Sequence, residues 1–349
     1  MASEKGRLWF HTASVGEFNT AKPLLRRLFM DYHITLTYFS FRAREYLRSQ
    51  QGLGYFHDLY RLPPDLPPLV SSFERRVKPD AIFIMERELW PSLLLFTKAP
   101  KVWLNAYAKG GLLERWLSRK FSLIVAREEK SARVLSSYGC NGVLSCGNLK
   151  FVLEEPPPLK LRVEEHELLI AGSTHRGEEV LIGEAFRKLK REFKNLRLVV
   201  APRHVSRARE VGELFKDFRV SFRSEEEEGW EVLVVDTLGE LFSLYALARV
   251  AFVGGTLLPV GGHNLLEPAY FGKPVLYGPY THKVEDIRGF LEERSLGFCI
   301  RDAEELYQKA RSLLRGEVRV EPFSMREYSE RTLNCYLSIL RSKLPSFGL

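Results

Sequence analysis

Short apolar runs, each followed by a loop and then by an amphipathic helical stretch, recur along the chain, and the alternation restarts after a proline-rich segment. Runs without polar alternation, such as Ala81-Ile82-Phe83-Ile84-Met85 and Val250-Ala251-Phe252-Val253, suit strands covered on both faces. That is the condition of a parallel sheet between layers of helices. The first half is expected to place strands at 7–11, 34–39, 81–85, 101–104 and 122–126, with helices at 18–31, 43–49, 70–77 and 112–120. After Glu154-Glu155-Pro156-Pro157-Pro158-Leu159-Lys160 the pattern resumes with strands at 168–171, 196–201, 231–235 and 250–253. The expected organisation is an N-terminal domain over 1–152, a linker over 153–160 and a C-terminal domain over 161–323. A helix and tail over 324–349 are expected to pack back on the first domain. This is an α/β chain with two Rossmann-like, doubly wound domains facing across a cleft.

Charge separates the two halves. Residues 1–150 carry 23 Lys/Arg against 13 Asp/Glu, a net of +10; the other 199 carry 29 against 31, a net of −2. The first half is therefore the one expected to meet an anionic partner: nucleic acid, membrane surface or acidic substrate. Cys140, Cys146, Cys299 and Cys335 show no CxxC spacing and no histidine at zinc-finger distance. Neither a disulfide framework nor a metal site is indicated, and a reduced, cytoplasmic setting fits. No stretch approaches the roughly 18 apolar residues of a membrane span, and no signal-peptide core is present at the N-terminus. Attachment to a membrane surface stays open.

Candidate binding residues cluster after the strands of the second half. The stretch from Gly254 to Ala269 contains two glycine pairs, which allow sharp turns and close approach to a ligand. A helix is expected from near His263, after Gly262, with free N–H groups that favour a phosphate. Asn264 and Glu267 would share its first turn, where a carboxylate can accept hydrogen bonds from sugar hydroxyls. Gly172, Ser173 and Thr174 precede another helix, which the hydroxyls are expected to cap. Arg203 and His204 follow a strand, in position to grip phosphate. Asp236 and Thr237 are expected to open a further helix, where a capping box completed by Glu240 competes with ligand contact. The absence of GxxxxGK[ST] and Asp-x-Asp argues against a P-loop NTPase and a metal-dependent nucleotide-sugar site.

In the first half, Ser14, Gly16 and Glu17 occupy a strand-to-helix transition. Glu17 is expected to stay ionised, helped by roughly 0.3–1 kcal/mol from the helix dipole, and so to serve as a general base toward a sugar hydroxyl. Simple stabilisation of the helix start is the competing account. Glu86 and Glu88 follow another strand, on the same side by alternation, with Arg87 opposite.

His11-Thr12-Ala13-Ser14-Val15-Gly16-Glu17, Glu88-Leu89-Trp90-Pro91, Gly147-Asn148-Leu149-Lys150-Phe151, Pro202-Arg203-His204 and Gly261-Gly262-His263-Asn264-Leu265-Leu266-Glu267-Pro268 run in this order over essentially the whole chain. Together they resemble the motifs of the Kdo transferases of lipopolysaccharide synthesis, which move 3-deoxy-D-manno-oct-2-ulosonic acid from CMP-Kdo to lipid A precursor. The resemblance implies a GT-B fold, an inverting, metal-independent reaction with CMP-Kdo as donor substrate and no cofactor, and a Gram-negative-type organism. It implies a lipid acceptor at the cytoplasmic face of the inner membrane. It further implies Glu17 as base, acceptor-side roles for Ser14, Gly16, Glu86, Glu88, Asn148 and Lys150, and CMP in the second domain. Three departures stand out: no hydrophobic anchor within Met1 to Gly6, Tyr107 where an arginine is usual, and Arg87 where a threonine is usual.

Membrane attachment is expected on a basic, apolar face of the Phe18 to Tyr60 region, through Lys22, Arg26, Arg27, Arg42, Arg44 and Arg48. Two other readings remain: another GT-B nucleotide-sugar transferase or epimerase, and a nucleic-acid-binding protein, although no RRM, KH or zinc-finger pattern is present.

Overall fold

The computed structural model describes residues 6–159, 167–225, 227–318, 320 and 323–347. The residues before Gly6, and position 161 where the second domain was expected to begin, lie outside them. The chain forms two compact units, Met1–Glu154 with Glu327–Leu349, and Glu155–Arg326.

The first unit alternates β1 (Arg7–His11), α1 (Val15–Leu28), β2 (His33–Tyr38), α2 (Ala43–Ser49), β3 (Asp58–Arg61), α3 (Pro67–Val77), β4 (Ala81–Met85), α4 (Pro91–Phe96), β5 (Lys101–Ala106), α5 (Leu112–Ser118), β6 (Leu123–Ala126), α6 (Glu129–Ser137) and β7 (Val143–Ser145). Its seven strands are parallel, in the order β3-β2-β1-β4-β5-β6-β7. The order reverses direction beside β1 and β4, so the loops after these strands diverge and leave a recess at the carboxyl edge of the sheet. The central strand β4 is buried along its whole length, as its unbroken apolar run requires. One sheet face packs Phe10, Phe83 and Leu104 against Phe18, Leu24 and Leu25 of α1; the other packs Trp9, Ile84 and Trp103 against α4 to α6 residues including Leu93 and Leu117. The edge strands β3 and β7 are half-exposed, and for that reason their sequences lack the apolar signature that marks the central strands.

The second unit contains β8 (Glu167–Thr174), α7 (Glu178–Glu192), β9 (Leu196–Pro202), α8 (Ala208–Glu213), β10 (Val220–Phe222), β11 (Val232–Val234), α9 (Leu241–Leu244), β12 (Val250–Val253), α10 (Leu266–Tyr270), β13 (Val275–Tyr277), α11 (Glu285–Glu292), β14 (Gly297–Cys299) and α12 (Ala303–Leu314). Its sheet is parallel, in the order β10-β11-β9-β8-β12-β13-β14, with the reversal beside β8 and β12.

The last helix, α13 (Met325–Lys343), packs Leu333, Tyr336, Leu337 and Leu340 into the core of the first unit. The Tyr336 hydroxyl donates to the Gly147 carbonyl (3.1 Å), and the Tyr328 hydroxyl accepts from the Asn148 N–H (3.2 Å). Here an expectation is overturned, because Cys335 on α13 forms a disulfide with Cys146 just past β7. The two cysteines are 189 residues apart, so no local spacing could announce the bond; the packing of α13 creates it. Among the described residues, no helix is long and apolar enough to cross a membrane.

Candidate active site

In the first unit, α1 opens with a capping box. Ser14 is the N-cap and its hydroxyl accepts from the Glu17 N–H (3.3 Å), while Glu17 Oε2 accepts from the Ala13 N–H (2.7 Å). This fixes the Glu17 side chain over the recess beside β1. A methyl group at Gly16 would meet only Ser14 Oγ, at 3.7 Å, so the space beside Glu17 is open. The expectation that Glu17 stays ionised fails. Burial, opposed by the Ala13 N–H and reinforced by the charges of Glu88 and Glu86, raises its pKa to about 8. Desolvation outweighs the helix dipole here because the carboxyl is enclosed and faces two like charges.

Glu86 takes a left-handed φ of 50° directly after β4, a conformation that costs a non-glycine residue energy and persists where the surroundings demand it. Glu88 is half-buried; burial raises its pKa, while the Trp90 indole donates to Oε2 (2.8 Å) and lowers it. Arg87 turns away to the buried carboxylate of Glu114 (2.9 Å). At Tyr107, where the resemblance led one to expect an arginine, the Arg127 guanidinium lies 4.0 Å from the ring centroid. Arg127, directly after β6, thus brings a guanidinium against this ring. Asn148 accepts from Asn105 Nδ2 (3.1 Å) and from the Lys150 N–H (3.0 Å), and so braces the segment after β7.

Of the basic residues expected on a membrane face, Lys22 donates to Gln50 and Arg26 pairs with Glu154 (2.7 Å). Arg44 and Arg48 instead line a cavity of about 360 Å³ with Tyr38, Phe41 and Arg61. A second exposed apolar group lies on α5, where Leu112, Leu113 and Trp116 are 87%, 60% and 48% exposed. It was not anticipated.

In the second unit the loops after β8 and β12 interlock. Glu178, fully buried at the start of α7, accepts from the backbone N–H groups of His175, Gly255, Thr256 and Leu257 at 2.8–3.0 Å. These N–H groups are therefore occupied by a protein carboxylate and are not a phosphate cradle. A Cβ at Gly254 would sit 2.4 Å from the Ser173 carbonyl, so only glycine permits this interlock. The roles expected of the first loop also change. Helix α7 is capped by Gly177 without a side-chain bond; Thr174 is buried and donates to Glu179 (3.0 Å). Gly172 packs so tightly that a Cβ would meet the Tyr245 hydroxyl at 2.0 Å. Ser173 alone of the three stays partly exposed, at φ 54°.

Asp236 accepts from the N–H and hydroxyl of Ser224, and Glu240 pairs with Arg223. Helix α9 begins only at Leu241, so the expected capping box does not form. Thr237 Oγ1 is buried with no hydrogen-bond partner among the described residues.

The segment Gly261–Glu267 is the richest in binding groups. Gly262 has φ 91°, beyond the reach of ordinary side-chain-bearing residues. The helix expected near His263 starts at Leu266; Asn264 precedes it, accepting from the Leu266 N–H (3.1 Å) and donating to Glu267 (3.2 Å). Burial raises the Glu267 carboxyl to about 7, partly opposed by Asn264. His263 Nε2 lies 2.8 Å from His175 Nε2, with the rings parallel. Burial, then His175, Arg203, Lys283 and His204, hold the His263 pKa down to about 4. Burial is the larger cause; the positive charges of Arg203 and Lys283, which act in the same direction on His263, are also ones that attract an anion. His175, Glu178 and Lys283 were not singled out from the sequence. Glu178 carried one signal, an acidic pair at the start of an amphipathic helix.

The N-terminal residues 1–153 match the family model of the 3-deoxy-D-manno-octulosonic-acid transferases. The chain is 44% identical to the 3-deoxy-D-manno-octulosonic acid transferase of Aquifex aeolicus, over 97% of this chain and 94% of that one. It is 33% identical to the Haemophilus influenzae enzyme of the same name, over 82% and 74%. Among solved structures, Acinetobacter baumannii MurG aligns over 97% of this chain and 99% of its own, with a TM-score of 0.60 at 10% identity, a likeness of fold alone. With its two parallel-sheet domains of GT-B type, the chain belongs to the 3-deoxy-D-manno-octulosonic acid (Kdo) transferases, glycosyltransferases of lipopolysaccharide synthesis.

Proposed function

We propose that this transferase takes Kdo from CMP-Kdo and passes it, with inversion and without a metal, to a lipid A precursor at the cytoplasmic face of the inner membrane. The observation that carries the donor assignment is the pair of cations beside His263, Arg203 and Lys283, next to the half-buried Asn264–Glu267 pair. The first group suits the phosphate of CMP, and the ionised Glu267 suits its ribose hydroxyls. Thr237 is a further candidate for contact with the nucleotide, because its hydroxyl has no partner among the described residues.

In the proposed reaction the bond from the anomeric carbon to phosphate breaks ahead of attack, through an oxocarbenium-like state. Arg203 and Lys283 take up the charge that develops on the leaving CMP. The acceptor hydroxyl forms the new bond from the opposite face, and its proton passes to Glu17. A base is most effective when its pKa lies near the working pH, and Glu17, lifted to about 8, meets that condition better than an ordinary carboxylate. For the membrane, exposed Phe39 and Phe41 after β2, with Arg44 and Arg48, and the apolar start of α5 after β5 both belong to the carboxyl edge of the first sheet, as Glu17 does. A lipid acceptor would be presented from that edge.

The test is the nucleotide that raises the melting temperature of the protein. CMP is expected to do so; a rise with UDP alone would favour a different GT-B transferase or epimerase, and a rise with RNA alone a nucleic-acid-binding protein. Transfer from CMP-Kdo should persist in excess EDTA, and its loss would refute the metal-independent part.

A further inference from the structure

Three arginines converge on one cavity of the first unit. Arg44 and Arg48, four residues apart on α2, and Arg61, the last residue of β3, line a space of about 360 Å³ whose walls include Tyr38, Phe41 and Tyr60. No carboxylate lines it, and none of the three guanidinium groups has an ion-pair or hydrogen-bond partner among the described residues. The arrangement is unfavourable by itself. Like charges four apart on a helix repel, and Arg44 sits in the first turn of α2, at the positive end of the helix dipole. A fourth guanidinium, that of Arg76, lies 4.8 Å from the Tyr60 ring centroid and donates to its hydroxyl (3.4 Å). Elsewhere in this unit Arg26 and Arg87 are paired with Glu154 (2.7 Å) and Glu114 (2.9 Å). Unpaired guanidinium groups around a common space are offset by an anion that enters it, and their planar forks suit phosphate oxygens two at a time. The cavity is also joined to the site of Glu17. Ala13, whose N–H holds Glu17 Oε2 (2.7 Å), accepts at its carbonyl from the Ser40 N–H (2.8 Å), and Ser40 directly precedes Phe41. The Tyr46 hydroxyl on α2 donates to Asn19 Oδ1 on α1 (2.9 Å). The helix that carries two of the arginines is thus fixed to the helix that carries Glu17.

We propose that this cavity is a subsite for a phosphate monoester on the sugar of the lipid acceptor, and that it makes the enzyme selective for a phosphorylated acceptor. Arg44, Arg48 and Arg61 take the phosphate, and Tyr38, Phe41 and Tyr60 supply apolar walls for the ring that bears it. The charge balance favours a monoester. It carries about −1.5 to −2 at neutral pH, whereas the diester of an ordinary phospholipid offers a single charge to three cations. A free phosphate ion would gain nothing from the aromatic walls. The inference rests on the reading of Glu17 as the base that acts on a lipid acceptor.

The experiment compares transfer from CMP-Kdo to the phosphorylated lipid A precursor and to the same acceptor stripped of phosphate by a phosphatase, both in neutral detergent micelles. The parent should show a kcat/KM at least tenfold higher with the phosphorylated acceptor. Joint replacement of Arg44, Arg48 and Arg61 by Gln should raise the KM for that acceptor tenfold or more and abolish the preference, with kcat within threefold and the donor KM within twofold. Arg61→Gln alone should raise the acceptor KM threefold or more. A parent that does not discriminate between the acceptors overturns the proposal, as does a triple variant that loses equally with both. A triple variant of parental KM in micelles that is impaired only on anionic liposomes assigns the arginines to bulk lipid and also overturns it. Should the triple variant not melt cooperatively, Arg48→Gln and Arg61→Gln decide singly by the same comparison. A parent that transfers Kdo to neither acceptor refutes the proposed function itself. The cavity is then judged by binding of the phosphorylated acceptor in the same micelles, which the triple change should still weaken tenfold; equal binding overturns the subsite.

Discussion

Replacing Glu17 by glutamine should make the protein more stable and almost inactive. The amide that replaces the carboxyl keeps an oxygen for the Ala13 N–H, now bonded at 2.7 Å, so the start of α1 is preserved. What disappears is the cost of ionising a buried carboxyl next to Glu88 and Glu86. The rise from 4.5 to about 8 means that the folded protein holds this proton more tightly than the unfolded chain does. Its contribution to stability is complete below pH 4.5 and is lost as the pH rises through about 8. Taken at face value, the shift is worth on the order of 4 kcal/mol at pH 8. Water at the rim of this half-buried group screens part of it, and we expect roughly 1–3 kcal/mol. In a domain of this size that is a rise in Tm of roughly 2–10 °C. The assay is thermal unfolding of parent and Glu17→Gln at pH 4 and pH 8, with kcat and CMP affinity measured in parallel. The variant should match the parent at pH 4, exceed it at pH 8, lose roughly 10²–10⁴-fold in turnover and bind CMP normally. A stability difference that is the same at both pH values would refute the electrostatic reasoning, and turnover within a few-fold of the parent would remove Glu17 as the base.

Three further outcomes are expected. Glu267→Ala should weaken CMP binding at least tenfold, since a lost hydrogen bond to a charged group costs about 1.5–3 kcal/mol. Because burial lifts Glu267 to about 7 and ribose hydroxyls donate to its ionised form, parental CMP affinity should rise between pH 6 and pH 8; a flat calorimetric profile would argue against this contact. Combined serine substitution of Leu112, Leu113 and Trp116, exposed on α5 beside the exposed Arg115 and Lys120, should reduce co-sedimentation with anionic liposomes while leaving CMP binding intact. The remaining binding should fall as salt rises, at roughly 1 kcal/mol per basic residue engaged; equal binding by parent and variant would exclude this face. Finally, denatured, unreduced protein should show two reactive thiols, Cys140 and Cys299, and Cys335→Ser should lose roughly 2–4 kcal/mol of stability relative to the oxidised parent. Four titratable thiols would show that the Cys146–Cys335 bond does not form.

The sequence by itself determined the fold class, because an apolar run such as Ala81–Met85 has no polar face to show to water and must lie between two helical layers. It also placed Glu17, Glu88, Asn264 and Glu267 at strand ends, since the strand–loop–helix order there is local. Other features belong to the tertiary structure alone. The half-exposed edge strands β3 and β7 are recognised only by their ladder partners. The Cys146–Cys335 bond spans 189 residues and exists because α13 packs on the first unit. The protonation of Glu17 was misjudged from sequence, since a helix start implies a stabilised carboxylate, whereas burial beside Glu88 and Glu86 reverses the sign. The hydroxyls at Ser173 and Thr174 were read as a helix cap, yet the acidic pair Glu178 and Glu179 occupies that end and ties the loops together. Local pattern reports which backbone a segment prefers; charge state and hydrogen-bond partners depend on which distant segments exclude water from it, and that is decided only when the sheets close.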